Sequence, residues 1–491
     1  MSHDPSARPG AGAFVRELGV FDATMLVAGS MIGSGIFIVS AEIAREVRSP
    51  FALLMVWIAT GVLTVVAALA YGELAAMFPG AGGQYVYLRE AFGPLPAFLY
   101  GWTLFLVIQT GTIAAVAVAF AKYLGALVPW VSAGRRLVPL VIGAGPDGAG
   151  GWDLSLTSQR LIAIMMVAVL TYINTRGVRT AKWVQNLFTV AKIAALALLV
   201  VVPFLGLANE QAIEVNFRGG RFFGGAPFSL ATLSVFGAAM VGALFSADAW
   251  NNITFAGEEV KDPSRTLPMS LVLGTGIVIA LYCLANVAYL MLLPIAGSPQ
   301  GAGLMERGIM GAAEDRVGAA AVQVLLGPRG VFLMAGFVLV STFGCNNALI
   351  LSGPRLYYAM ARDRLFFRGA GILDRHGVPA WGLILQGVWT AILTMSGTYG
   401  ELLDYIIFAA LLFYVLTIAG VFKLRLTRPD IQRPYTALGY PFVPALYVVA
   451  AGAIMIDLLI MKPLPSLIGL GIVLTGFLAY AAWRYLERRA G

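Results

Sequence analysis

Along this chain, apolar residues run for long stretches and are broken by short polar or charged links. A hydrocarbon core about 30 Å thick is crossed by roughly 20 such residues in a helix. The pattern predicts twelve spans, at 20–46, 51–78, 93–127, 159–175, 182–207, 229–257, 268–293, 330–360, 381–397, 402–424, 440–460 and 464–483. Two of them are unlike the rest. Span one carries "GSMIGSGIF" (Gly29–Phe37), with three glycines and two serines inside an apolar run. Span six carries "FSADAWNNITF" (Phe245–Phe255), with an aspartate and two asparagines.

Lipid supplies no hydrogen-bond partner, so irregular backbone at membrane depth survives only where it is buried in protein or lines a cavity. Breaks at matching positions in two halves point to a transporter site. The halves would be residues 20–207 (spans one to five) and 208–425 (spans six to ten). Residues 1–19 would form a tail, and 426–491 would add spans eleven and twelve. The chemistry suits an amino acid zwitterion. An interrupted span yields a half-helix N-terminus whose N–H groups attract a carboxylate. It also yields a half-helix C-terminus whose carbonyls attract an ammonium. A second reading of span one stays open, because Gly29 and Gly33 form a G-x-x-x-G packing motif.

Composition narrows the class. The 491 residues are 59% hydrophobic and 12% charged, with mean hydropathy +0.83; soluble domains carry about 25% charge. The chain is therefore read as an all-α integral membrane protein in contact with the lipid bilayer. Its net charge of +8 lies in short clusters between spans and not in one patch, which excludes a nucleic-acid partner. Clusters such as Arg176–Arg179–Lys182, Lys261–Arg265 and Arg362–Arg368 set the orientation, with both termini cytoplasmic. The longer links, 128–158, 208–228 and 294–329, then face outward. "GAGPDGAGG" (Gly143–Gly151) lacks the Lys-Ser/Thr ending of a phosphate loop and reads as a flexible loop. Cys283 and Cys345 lie in apolar runs, so no structural disulfide is expected. The two histidines, His3 and His376, fall outside the spans. That leaves no metal cluster and no Ser/His chemistry; neither an enzyme nor a cofactor is expected.

Two ionisable residues need a reason at membrane depth. Asp248 sits inside the span-six break. It can attract a substrate ammonium or cationic side chain, or cap the inner half-helix starting near Trp250. Lys192 lies about ten residues into span five, roughly 15 Å deep, where its stem does not easily reach water. Asn346 and Asn347 of span eight can face the cavity or pair between helices. Trp250 and Tyr405 are possible cavity-lining aromatics. Glu73, Glu258 and Glu259 read as inner ion-pair partners, and Arg355 is expected to reach the cytoplasmic side.

"GSMIGSGIF" also resembles the first-helix motif of the amino acid–polyamine–organocation (APC) superfamily. "ALAYGELAAMFPGAGGQYVYLREAFGPLPAFLYGW" (Ala68–Trp102), "FAKYL" (Phe120–Leu124), "VQNLFTVAKIAALAL" (Val184–Leu198), "WNNITFAGEEVKDPSRTLP" (Trp250–Pro268), "GPRLYYAMARDRLF" (Gly353–Phe366) and "RPDIQRPY" (Arg428–Tyr435) follow in order. Together they resemble the L-type amino acid transporter branch and its bacterial relatives. The resemblance implies a LeuT-type 5+5 inverted repeat and alternating access. It implies that Gly33, Ser34 and Gly35 offer N–H groups to a substrate carboxylate, while Met31 and Ile32 offer carbonyls to its ammonium. Phe245 would close over the substrate, with Ser246 and Ala247 in the broken part of span six. Lys192 would stand in for a sodium ion, tying span five to spans one and eight. Transport would then need no sodium.

The expected function is sodium-independent exchange of neutral or small amino acids. Proton-coupled symport, and transport of cationic amino acids or polyamines through Asp248, remain alternatives. A non-transporting sensor is disfavoured by tails too short for a signalling domain, and a channel by the lack of a filter-like loop. Animal L-type members pair with a heavy chain through a cysteine after span three. The 128–158 link has none, so a stand-alone protein of a bacterial inner membrane is expected.

Overall fold

The computed structural model describes residues 14, 16–142, 152–219, 222–224, 229–396 and 399–490. Helices account for nearly all of the regular structure. Nine are long and apolar enough to cross a membrane among the described residues. A tenth crossing is the pair Val20–Met31 and Gly35–Val47, bent by 41° at its break. The shorter helices Ser158–Asn174 and Ala380–Ser396 stand where spans four and nine were expected. The fold is that of an all-α membrane protein.

Expected links carry structure that hydropathy does not reveal. Helix Gln84–Phe92 lies between spans two and three, and helix Val317–Leu326 precedes span eight. In the 128–158 link, Arg136–Val138 pairs with Leu156–Thr157 and Val141–Ile142 with Trp152–Asp153, both antiparallel. The flexible loop expected at 143–151 lies outside the described residues.

The outer faces of spans five, nine, eleven and twelve expose large apolar side chains such as Leu187, Ile384, Val449 and Leu478. A rim of this kind is what a helix bundle presents to lipid. Inside the bundle, span seven (Pro263–Leu292) packs along both spans one and two.

Two clamps join the ends nearest the charged links. The strand-like segment ahead of span one pairs in parallel with the chain leaving span six. Glu17 and Leu18 donate to the Glu259 carbonyl at 2.9 and 3.0 Å, and Lys261 donates back to Leu18 at 2.9 Å. Beneath that pairing, Arg355 of span eight donates to Glu259 at 2.9 Å, with both side chains 0% exposed. This corrects the expectation for Arg355, which does not reach the surface. A guanidinium in a dry interior needs a partner, and Glu259 with the Leu351 carbonyl supplies one. Glu73 is likewise paired, with Arg425 at 2.6 Å and Arg433 at 3.5 Å.

Candidate functional site

Span one stops being helical at Ile32, whose ψ of 88° turns the chain out of the helix. A new helix starts at Gly35. Span six stops at Ser246 and resumes as a 3-10 helix at Trp250. The link between contains Ala249 at φ 63°, ψ 8°. An alanine held in the left-handed region stores about 1–2 kcal/mol, which the surrounding packing must offset. The two breaks touch. A β-carbon added at Gly35 would lie 2.1 Å from the Ser246 hydroxyl and 3.1 Å from its Cα. Glycine at 35 is therefore required by the close approach of the two spans.

Breaking a helix frees carbonyls, and a buried carbonyl without a partner costs about 1–3 kcal/mol. Here neighbouring spans satisfy them one by one. Lys192 donates to the carbonyls of Gly29 at 2.6 Å and Ile32 at 2.7 Å. Cys345 reaches Ser30 at 3.0 Å. Tyr282 of span seven donates towards Met31 at 2.9 Å and Ser246 at 3.2 Å, bridging the two breaks. Ser341 reaches Ile32 at 3.1 Å and Gly33 at 3.0 Å. The Met31 carbonyl also accepts from the Gly33 N–H at 2.9 Å. The Tyr282 and Ser341 hydroxyls each carry one proton, so each serves one of its two carbonyls at a time, while Met31 keeps the Gly33 N–H and Ile32 keeps the Lys192 ammonium. On the carboxylate side, helix Gly35–Val47 presents the N-terminus at which helical N–H groups lack intrahelical partners.

Lys192 is 2% exposed and is one of a row. Gln185, Thr189 and Lys192 are spaced four and three residues apart, which places them on one helix face. Gln185 and Thr189 donate to the Met25 carbonyl at 3.4 and 3.3 Å. A β-carbon at Gly29 would lie 1.8 Å from the Gln185 amide. Close packing against span five thus accounts for Gly29, while Gly33 lies at the break itself.

Asp248 accepts a hydrogen bond of 2.5 Å from Tyr414 of span ten (Tyr399–Thr427). The Trp250 helix carries no side-chain cap, so Asp248 is held by span ten and is not a capping residue. Trp250 stacks edge-on to Tyr71 at 4.7 Å and tilts against Tyr414 at 5.5 Å. Two narrow cavities, each with space for about one water molecule, meet at Asp248 and Tyr414. One runs past Gln84, Gln109 and Asn252, the other past Thr64, Trp250 and Tyr447.

Phe245, Ser246 and Ala247 are buried, with Ala247 lining the second cavity and the Ser246 hydroxyl turned back to Gly242 at 2.8 Å. Ser34 is also buried. Asn346 donates to Ile113 of span three at 3.1 Å, and Asn347 to Gln185 at 3.2 Å while accepting from Asn174 at 3.0 Å. Both asparagines therefore join helices. The Tyr405 side chain lies outside the described residues. Sequence reasoning missed Tyr282, Ser341 and Tyr414; each looks like an ordinary span residue until the breaks are placed beside it.

The fold and this centre define an integral membrane protein with two interrupted spans meeting at a buried polar site, the architecture of a solute transporter. The chain belongs to the amino acid permease family, whose model matches residues 18–483. It is similar to human b(0,+)-type amino acid transporter 1, with 29% identity over 486 residues, covering 98% of this chain and 86% of that protein. Human large neutral amino acids transporter small subunit 2 is 30% identical over 492 residues, covering 99% and 84%. The mouse form of the latter is 30% identical over 498 residues, again covering 99% and 84%. The resemblance to the APC superfamily and its L-type branch stands, and the family is one of transporters, not enzymes.

Proposed function

We propose that this protein is a secondary amino acid transporter that works without sodium, by alternating access, and exchanges neutral or small amino acids. The observation that supports this reading most is the Lys192 ammonium seated on two carbonyls of the span-one break. A fixed cation there does what a bound metal cation would do: it holds the opened backbone in shape. The substrate carboxylate is assigned to the N–H groups of Gly33, Ser34 and Gly35, the Gly33 N–H leaving the Met31 carbonyl to reach it, and Phe245 to closure above it. Ammonium binding at the Met31 or Ile32 carbonyl is open when the Tyr282 hydroxyl turns to Ser246 or the Ser341 hydroxyl turns to Gly33. Residues 20–207 and 208–425 form the two repeats in this reading. Both termini face the cytoplasm of a bacterial inner membrane, and no disulfide-linked heavy chain is needed.

The test is uptake into proteoliposomes preloaded with single amino acids, with and without sodium and with and without a proton gradient. Exchange requires uptake to depend on the internal amino acid. Strict sodium dependence would sink the role given to Lys192, and acid-driven uptake into empty vesicles would replace exchange by proton symport.

One observation favours a second reading. Asp248 places a carboxylate at the junction of the two cavities, which suits a cationic substrate. Asp248→Asn would then abolish uptake of cationic amino acids and spare neutral ones; unchanged uptake of both discards it.

A further inference from the structure

On the lipid-facing side, between spans four and nine, lies a groove of about 390 Å³ that shares no lining residue with the two cavities at Asp248. Its walls are Ile164, Ala168 and Tyr172 on one helix and Ile384, Val388 and Ala391 on the other. Two features distinguish it from an ordinary crevice between helices. Thr171 lines it, and its hydroxyl is buried with no hydrogen-bond partner among the described residues. Gly387 lets the helices approach at that level, since a β-carbon there would lie 2.9 Å from the same hydroxyl. An unpartnered hydroxyl buried between two apolar helices is costly, and a ligand acceptor oxygen that enters the groove beside it relieves that cost.

One end of the groove is basic. Arg176 lies over the Tyr172 ring at 4.5 Å and bonds to its hydroxyl. The turn carrying Arg375 and His376 packs against Gly177 at the same end, and both side chains are exposed. One oxygen of the neighbouring Asp374 carboxylate accepts from the N–H groups of His376 and Val378, and Arg375 donates through Nε to the His376 ring at 3.3 Å. Exposed Trp183 and Trp381 open spans five and nine at this level, where aromatic side chains mark the membrane interface. From Thr175 to Thr171 is about 6 Å along the helix, and Ala168 and Ile164 continue the same face inward.

We propose that this groove holds one anionic phospholipid of the surrounding bilayer. Its phosphate sits on Arg176 and Arg375, an ester carbonyl accepts from Thr171, and one acyl chain lies along Ala168 and Ile164. The order of chemistry along the groove matches the order along a lipid: basic, then a hydroxyl donor, then apolar. Anionic headgroups are enriched in the cytoplasmic leaflet, so the leaflet assignment rests on the inward orientation proposed above.

The test is native mass spectrometry of the purified full chain with added phosphatidylglycerol or phosphatidylcholine, independent of any transport assay. The wild type should retain one phosphatidylglycerol, preferred over phosphatidylcholine by about 30-fold, as expected for two basic residues on one phosphate. Arg176→Gln with Arg375→Gln should remove the preference, and Ala168→Phe should displace both lipids by filling the groove. Equal retention of the two lipids by the wild type overturns the proposal, as does a preference untouched by the double variant. Competition by glycerol phosphate as strong as by the intact lipid also overturns it, because the apolar groove would then contribute nothing.

Discussion

Replacing Lys192 by methionine keeps the stem and removes the ammonium. Two charge-assisted hydrogen bonds disappear, at 2.6 and 2.7 Å. Ile32 keeps Ser341 as a donor, whereas no other donor to the Gly29 carbonyl is found among the described residues. An orphaned buried carbonyl costs about 1–3 kcal/mol, and hydrogen bonds to a charged group contribute about 1.5–3 kcal/mol. Taking about 3 kcal/mol as the loss specific to the broken conformation gives roughly a hundredfold fall in its population. Apparent substrate affinity falls by the same factor, because only the competent conformation binds. Global stability should change less, since removing a buried charge also removes its desolvation cost. The assay is concentration-dependent uptake into proteoliposomes alongside thermal unfolding in detergent. Lys192→Met uptake within threefold of wild type would show that the ammonium does not hold the break in shape. Lys192→Ala adds a second arm: it leaves a gap between two carbonyls, and sodium should partly restore its uptake.

Three further outcomes are expected. Gly35→Ala forces a β-carbon into Ser246 and should destabilise by about 1–3 kcal/mol; adding Ser246→Gly should recover part of the loss in thermal unfolding and uptake. Arg355→Met strands Glu259 in a dry interior and should cost about 3–5 kcal/mol, read as a fall in melting temperature that Glu259→Gln partly reverses; an unchanged melting temperature contradicts the burial of the pair. Tyr282→Phe removes the donor shared by the two breaks and should slow exchange roughly tenfold with little change in stability, whereas normal exchange would show that the bridge is idle.

The features legible in the sequence were those that violate membrane rules. Glycines and serines at Gly29–Gly35, an aspartate at 248 and a lysine at 192 stand out because lipid tolerates none of them without cause. Their grouping followed from spacing and resemblance. The residues that complete the site left no such mark. Tyr282 and Ser341 are unexceptional on their own helices, and their work depends on carbonyls some 250 and 310 positions away. From local sequence Asp248 reads as a substrate contact or a cap, because only its own helix is visible there; its hydrogen-bond donor, Tyr414, lies 166 residues on. Arg355 reads as reaching the cytoplasmic side, as a guanidinium near a span end usually does by snorkelling. Its burial follows from Glu259, which no periodicity connects to it. Helix Gln84–Phe92 escaped notice because it is short and low in hydropathy.

In the proposed mechanism the breaks in spans one and six form one amino acid site braced by Lys192. A structure of the protein with a transported amino acid bound tests it most directly. In that structure the substrate carboxylate should lie at the N–H groups of Gly33, Ser34 and Gly35, its side chain towards Phe245 and Asp248, with Lys192 still on Gly29 and Ile32. An amino acid bound away from both breaks, or a metal ion between those two carbonyls with Lys192 turned aside, would contradict it.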